Sequence, residues 1–146
     1  MNAGRAFFDT NVLLYMYGGD AAKRAKAKDL FDACGSAGSL LISTQVVQEF
    51  YAAGLRKLAM PRRELCDATS LFLRCPLVIV QPAHIQAAIE NEERYRISFW
   101  DGLILAAAES GGAEILYTED LNDGQRYGAV EARNPFRRID EAIPRK

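Results

Sequence analysis

The sequence has few of the residues that enzymes use as nucleophiles or as soft metal ligands. Its only histidine is His84, and it contains no G-x-S-x-G motif, which disfavours a serine or cysteine hydrolase triad. Its cysteines are odd in number and form no C-x-x-C pair, so neither a disulfide framework nor a zinc site is indicated: Cys34, Cys66 and Cys75. Because free thiols are typical of a reducing compartment, we expect a cytoplasmic protein. For His84 we expect a surface or helix-capping role.

Long apolar runs and an excess of charge are also absent. No stretch approaches the length of a membrane span, and because only residues 1–6 precede the first apolar run, we expect no signal peptide. We therefore expect no membrane association. The formal net charge is −1, from 18 basic and 19 acidic residues, which gives no general affinity for nucleic acid. Any such affinity must come from local clusters of lysine and arginine.

The apolar content is sufficient for one folded domain. The chain has 146 residues and is 49% hydrophobic, enough for a core that needs neither disulfides nor a structural metal. No internal repeat or low-complexity tract divides it. We predict a single domain over residues 1–146.

Short apolar runs alternate with helical patterns along the chain. Strands are predicted at 6–8, 40–42, 77–80 and 113–117, with a possible edge strand near 129–133. Helices are predicted after the turn at Asp9 and over 21–34, 44–58, 61–73, 82–95 and 99–109. This alternation predicts an α/β fold in which helices cover both faces of a central parallel sheet of four to five strands.

Four acidic residues stand where a predicted strand ends or a predicted helix begins: Asp9, Glu49, Asp101 and Asp120. Ligand crevices of open α/β sheets lie beyond the carboxyl ends of the strands, so distant segments can bring these carboxylates together there. Hard divalent cations such as Mg²⁺ and Mn²⁺ take oxygen ligands. The pattern therefore predicts the site of a metal-dependent hydrolase.

Each acid also has a simpler explanation. Asp9 can be the first residue of an Asp-Thr-Asn turn, and Asp101 can be the acid of a capping box that begins at Ser98. Glu49 lies opposite the apolar stripe of its helix, as a solvated glutamate would, and residues 119–124 can form an ordinary acidic turn. The metal-site hypothesis therefore depends on the four acids together and not on any one of them.

Four segments resemble the motifs of PIN-domain nucleases: FFDTNVL at 7–13, QEFY at 48–51, RISFWD at 96–101 and LYTED at 116–120. The resemblance covers nearly the whole chain, including Asn134-Pro135-Phe136, and points to the VapC-type toxins of type II toxin–antitoxin modules. It implies an α/β/α sandwich, an endoribonuclease that depends on Mg²⁺ or Mn²⁺, and a homodimer neutralised by a cognate antitoxin. It also implies a structured RNA substrate such as tRNA or ribosomal RNA, and products with 5′-phosphate and 3′-hydroxyl ends.

The resemblance also implies roles for individual residues. The catalytic set would be Asp9, Glu49, Asp101 and Asp120, and the metal ligands among them Asp9, Asp101 and Asp120. The polar supports would be Asn11, Ser98 and Thr118, with Asp123 as an accessory acid. From basic clusters that are more simply explained as solvated helix faces, we select as RNA-binding residues Arg24, Lys26 and Arg96. Trp100 is more simply a core residue than a platform for base stacking.

Other interpretations stay open beside this resemblance. Receiver domains and aspartate-nucleophile phosphatases also place an aspartate after their first strand. The phosphatase motif D-x-D-x-T is absent here, however, and Val80 is followed by Gln81-Pro82 where a receiver has its acceptor aspartate. A non-catalytic interaction module on the same fold would cleave nothing, and the loss of an acid would have indicated it. The protein could also be an RNA-processing nuclease without an antitoxin. A small adjacent reading frame that encodes an antitoxin would decide against this alternative.

Overall fold

The computed structural model describes residues 4–142 and contains one six-stranded sheet in this part of the chain. The strands are β1 (Arg5–Phe8), β2 (Leu40–Ser43), β3 (Leu77–Val78), β4 (Ala113–Tyr117), β5 (Arg126–Tyr127) and β6 (Val130–Arg133). Their order is β3-β2-β1-β4-β6-β5, and every pair is parallel except β5 with β6. The predicted α/β class and central parallel sheet are confirmed. The strand number exceeds four to five because β5 returns as a short hairpin beside β6. The domain predicted over 1–146 extends beyond the described residues at both ends.

The helices are α1 (Thr10–Tyr15), α2 (Ala21–Ser36), α3 (Thr44–Lys57), α4 (Arg62–Leu73), α5 (Pro82–Tyr95), α6 (Phe99–Ser110) and α7 (Arg137–Ala142). Helix α1 begins directly after Asp9, which caps it, and α2 continues past Gly35, where we expected it to stop. The turn out of α2 instead uses Gly38, at φ +70°. Strand β3 is shorter than predicted because the Val80 N–H donates to the Thr44 side chain (3.1 Å) rather than to a strand.

The direction in which the chain crosses the sheet places the helices on two faces. The chain moves from β1 to β2 to β3 in one direction, then returns across the sheet to β4 on the other side of β1. Because parallel crossovers are right-handed, the connections before and after this reversal lie on opposite faces. The packing agrees: α1 contacts α2 and α3, α3 contacts α4, and α5 packs on α6. The reversal creates a crevice at the carboxyl ends of β1 and β4, where ligands bind in open α/β folds.

Aromatic side chains fill the core beneath α1–α4. Phe50 and Phe72 meet edge to face with ring centroids 4.8 Å apart, and Phe8 and Phe31 extend the cluster. Phe8, Phe50 and Phe72 are at most 2% exposed, and burying each stabilises the fold by roughly 1.5–3 kcal/mol. This core supports the carboxyl edge of the sheet.

On the other face, α6 approaches α5 closely. A Cβ at Gly102 would lie 2.6 Å from the Ala88 carbonyl oxygen, so only glycine fits there. His84 caps α5, because its Nδ1 accepts from the Gln81 N–H (2.8 Å) and its Nε2 meets Ser110 Oγ (2.9 Å), as expected from the sequence. Within residues 4–142, no helix combines the length and hydrophobicity that a bilayer crossing requires.

Candidate active site

Asp9 lies where β1 passes into α1, at the crevice between β1 and β4. Its own N–H donates to the Tyr117 carbonyl of β4 (3.0 Å), which fixes its backbone to the sheet. Its Oδ1 accepts from the Thr10 N–H (2.7 Å) and caps α1, while its Oδ2 accepts from the Thr118 hydroxyl (2.7 Å). The side chain is only 5% exposed. Both carboxylate oxygens are therefore oriented by neighbouring elements of the fold.

Two further aspartates reach the same point from other segments. Asp101 lies in the first turn of α6, and its N–H donates to Ser98 Oγ (3.0 Å), so Ser98 caps the helix as predicted. Asp120 follows β4, its N–H donates to Thr118 Oγ1 (3.1 Å), and its Oδ2 accepts from Asn11 Nδ2 (3.3 Å). One carboxylate oxygen from each of Asp9, Asp101 and Asp120 lies within 4.8 Å of the other two. The structure thus brings together the three residues proposed as metal ligands.

Glu49 faces the same crevice from α3 but stands beside the three aspartates. It lines one 270 Å³ cavity with Asp9, Asp101 and Asp120, and its Oε1 accepts from the Thr10 hydroxyl (2.8 Å). Its side chain is partly buried, so it is not the solvated surface glutamate that its position in the helix also allowed. All four predicted acids therefore converge on one crevice.

The electrostatics of this crevice favour a bound cation. Burial is the main cause that raises the pKa of Asp9 to about 7, and the negative charges of Asp120 and Asp101 act in the same direction. The hydrogen bonds from Thr118 and Thr10 lower this pKa and offset part of the effect. Burial, followed by the nearby charge of Asp120, also raises the pKa of Asp101. Three carboxylate oxygens converge here, and burial disfavours the ionised form of Asp9 and of Asp101 in the absence of metal. A hard divalent ion suits these donors, because its charge would favour the ionised form of both residues.

Asp123 is held away from the aspartate cluster. Its Oδ1 accepts from the Asn134 N–H (2.8 Å) and its Oδ2 from Arg137 (2.7 Å). These hydrogen bonds lower the pKa of Asp123, the opposite of the shift at Asp9. In this structure Asp123 ties the turn after β4 to the start of α7 and contributes no oxygen to the cluster formed by Asp9, Asp101 and Asp120.

The basic residues that we selected as RNA-binding do not line the acidic cavity. Arg24 donates to the Gly19 carbonyl (3.1 Å), Lys26 lines a separate cavity, and Arg96 ends α5 in a left-handed conformation (φ 55°). The acidic cavity is instead lined by Arg56 and Lys57 from the last turn of α3. The residues that we selected from the basic clusters did not include this pair. The spacing along α3 could have identified Arg56, because it is seven positions after Glu49 and therefore lies two helical turns along the same face.

A second missed residue is Lys23, which holds the segment that carries Asp120. Its Nζ pairs with Glu119 (3.1 Å) and with Asp140 of α7 (3.0 Å), and it lies over the Phe136 ring. Burial opposes its charge, but the two carboxylates raise the pKa of Lys23 overall. Both partners lie about a hundred residues away in sequence, so no local pattern could have identified this role.

Trp100 corrects a prediction, because it is 60% exposed and not part of the core. The buried face of α6 begins at Gly102, and Trp100 lies before it, at the wall of the acidic cavity. The hydrophobic character of tryptophan suggested burial, whereas its position in the first turn of α6 decides its exposure.

Comparisons with solved structures find several that share this fold. Mycobacterium tuberculosis VapC20, described as a toxin that cleaves the sarcin–ricin loop, superposes with a TM-score of 0.65 at 21% identity, covering 79% of this chain and 89% of that one. A toxin–antitoxin complex from Klebsiella pneumoniae matches with a TM-score of 0.65 at 20% identity, covering 89% and 97%. VapBC2 from Rickettsia felis, bound to a promoter DNA fragment, matches with a TM-score of 0.62 at 15% identity, covering 88% and 97%.

At these identities the structural matches establish the fold, and a comparison with curated proteins found no sequence match. The family model for the PIN domain, however, matches residues 6–127. That range is most of the chain and includes every acid of the crevice. The chain therefore belongs to the PIN domain family.

Proposed function

We propose that this protein is a metal-dependent endoribonuclease and the toxin of a type II toxin–antitoxin module. The observation that carries the proposal is the meeting of Asp9, Asp101 and Asp120, with oxygens within 4.8 Å of one another, in a chain of the PIN family. Similar structures include a toxin described as cleaving the sarcin–ricin loop and a toxin–antitoxin complex, which supports the same activity and partner here.

Asp9, Asp101 and Asp120 would hold the metal, which we propose is Mg²⁺ or Mn²⁺. The donors are all carboxylate oxygens, the ligand type that these ions prefer over the softer sites of zinc or copper. When bound, the ion would supply a polarised phosphate and an activated water. The raised pKa of Asp9 and of Asp101 fits this role, because a cation favours the ionised form of each.

Neighbouring polar groups would fix the orientation of these carboxylates. Thr118 donates to Asp9, and Asn11 donates to Asp120, so each ligand has a hydrogen bond that limits its rotation. Such supporting contacts typically change metal affinity or activity 10–100-fold, an order-of-magnitude expectation that makes Thr118 and Asn11 more than structural polar residues. Glu49, held by the Thr10 hydroxyl, would face the reacting phosphate from α3, beside the three aspartates.

RNA would enter along the wall that carries Arg56 and Lys57. The crevice is acidic, so it repels phosphate until metal binds, and cations on its rim attract the RNA backbone. We expect the substrate to be an exposed loop in a structured RNA such as tRNA or ribosomal RNA, because sequence-specific RNA recognition usually targets unpaired nucleotides. The roles first assigned to Arg24, Lys26 and Arg96 would be limited to more distant phosphates.

The cognate antitoxin would occupy the same crevice with a basic side chain, because a guanidinium can replace the charge of the missing metal. A homodimer is the proposed assembly. Exposed apolar side chains on α4 and α5 supply surface for protein contacts, among them Leu71, Leu73, Ile85 and Ile89, which are 45–58% exposed. The free thiols fit action in the cytoplasm.

Expression in bacteria tests this proposal. Induction of the wild-type chain should arrest growth, and coexpression of a small antitoxin from the adjacent reading frame should restore it. Asp101→Asn should not arrest growth. This variant keeps the helix cap, because Ser98 accepts from the backbone N–H of residue 101, so the substitution removes the carboxylate without removing the cap. Equal arrest by the wild type and by Asp101→Asn at equal protein levels would contradict a carboxylate-dependent activity.

A further inference from the structure

The crevice continues past the aspartates into a second cavity, beside Trp100. This cavity has a volume of about 360 Å³ and is lined by Gln45, Gln48, Glu49, Ala52 and Trp100. Gln45, Glu49, Ala52 and Trp100 also line the acidic cavity, so the two spaces share a wall. One bound molecule could therefore occupy the second cavity and also place a phosphate at the aspartates.

The indole is presented from a fixed backbone. Gln45 Nε2 donates to the Trp100 carbonyl (3.2 Å), and the Phe99 ring packs edge to face against the indole with centroids 5.1 Å apart. Ser98 caps the helix immediately before them. An exposed tryptophan on a fixed backbone provides a flat apolar surface, and aromatic side chains in nucleic-acid binding proteins use such surfaces to stack on bases.

Gln45, which lines this cavity with Trp100, carries a hydrogen-bond acceptor that has no partner within residues 4–142. Gln45 is 4% exposed, and its Oε1 has no hydrogen-bond partner in the part of the chain that the structure describes. The amide orientation follows from the contact with Trp100, because a backbone carbonyl can only accept and must face the Gln45 nitrogen. A buried acceptor without a partner is unfavourable, so a ligand that donates to it binds more tightly.

We propose that the cavity beside Trp100 binds one unpaired nucleobase of the RNA, stacked on the indole and donating an exocyclic amino hydrogen to Gln45 Oε1. This inference rests on the proposed ribonuclease function and assigns base recognition to a place next to Asp101. Stacking tolerates every base, whereas the amino group distinguishes cytosine, adenine and guanine from uracil. Cytosine and uracil form the closest matched pair, because they differ only at C4 and N3: cytosine has an amino group and a bare nitrogen, and uracil has a carbonyl and an N–H.

Intrinsic fluorescence tests the stacking, because the chain has a single tryptophan. The Asp9→Asn variant is titrated in Mg²⁺ with dye-labelled hexacytidylate and hexauridylate, and binding is followed by dye anisotropy. Bound oligonucleotide should quench Trp100 emission relative to Mg²⁺ alone, and the cytidylate should bind roughly fivefold more tightly. Unchanged emission with bound oligonucleotide would overturn the stacking, and equal affinities would overturn the role of Gln45. Emission that instead changes with protein concentration alone would show that a second copy covers Trp100.

Cleavage kinetics of the wild type and of two Trp100 variants provide an independent test of the base site. Trp100→Leu keeps an apolar side chain and should raise KM roughly tenfold with kcat retained, while Trp100→Phe keeps an aromatic face and should lose less. If Trp100 had only a structural role, both substitutions would lower the melting temperature of the protein and would change KM to the same extent. Cleavage with a KM insensitive to both substitutions refutes the base site alone. Quenching by RNA in a protein that never cleaves refutes the ribonuclease function alone.

Discussion

Replacing Asp9 by asparagine should stabilise the metal-free protein at alkaline pH while abolishing its activity. The pKa of the buried Asp9 is about 7 in the folded chain, against an ordinary value of 3.8. The folded state therefore keeps a proton that the unfolded chain has already lost. Stability from this group is fully present below pH 3.8 and is lost as pH rises through about 7.

The size of the effect follows from the two pKa values. A difference of about three pH units at roughly 1.4 kcal/mol per unit gives an upper limit of about 4 kcal/mol lost between pH 4 and pH 8. Asparagine carries no charge, still accepts from the Thr10 N–H, and deprives the Thr118 hydroxyl of its acceptor, which costs about 1 kcal/mol. Asp9→Asn should therefore be about 2–3 kcal/mol more stable at pH 8, or roughly 5–10 °C higher in Tm.

Thermal unfolding in EDTA between pH 4.5 and pH 8 measures this difference, which should shrink as pH falls. Asp123→Asn is the matched control, because hydrogen bonds from Asn134 and Arg137 lower the pKa of Asp123. That exposed aspartate should give a loss of at most about 1 kcal/mol. Added Mn²⁺ should raise the Tm of the wild type more than that of Asp9→Asn. A variant that melts at or below the wild type at pH 8, with parallel pH curves, would refute the electrostatic account.

Three further outcomes follow from the same geometry. Thr118→Val removes the hydroxyl that stabilises the Asp9 carboxylate, so initial rates should fall roughly 10–100-fold and the pH–rate curve should move to higher pH; an unshifted curve would oppose this role. Arg56→Ala and Lys57→Ala should each lower the slope of log KM against log salt by about 0.7, whereas Lys26→Ala, outside the acidic cavity, should leave it unchanged. Calorimetry with Mn²⁺ should show a Kd that tightens about tenfold per pH unit up to pH 7 and then levels, because Asp9 must lose its proton to bind metal; a pH-independent Kd would exclude Asp9 as a ligand.

The central strands and the long helices follow from the sequence because their signals are local. Parallel strands buried on both faces appear as continuous apolar runs, as at β1 and β2, and α3 shows its apolar positions at intervals of three and four. The hairpin strand β5 has only two residues, and α7 has six with none fully buried, so neither leaves a recognisable pattern.

Asp9, Asp101 and Asp120 could be found from the sequence because each stands at an element boundary, whereas Glu49 lies in the second turn of α3 and not at its start. The contacts of these acids depend on strand order. Thr118 meets Asp9 across 109 residues only because β4 pairs with β1 at the point where the crossovers reverse. The family resemblance implied an accessory role for Asp123, whereas the chain that returns through β6 supplies this residue with Asn134 and Arg137 as partners. The exposure of Trp100 likewise depends on which face of α6 meets the sheet, which residue type does not reveal.

Cleavage of purified RNA with sequencing of the 5′ ends tests the central claim most directly. The wild-type protein, incubated with tRNA and ribosomal RNA in Mg²⁺ or Mn²⁺, should produce new 5′-phosphate ends at a few positions within unpaired loops. The same ends should be missing in EDTA and with Asp101→Asn, whose side chain supplies one of the three converging oxygens. No new ends with any structured RNA, or the same ends with Asp101→Asn, would contradict a ribonuclease site formed by these carboxylates.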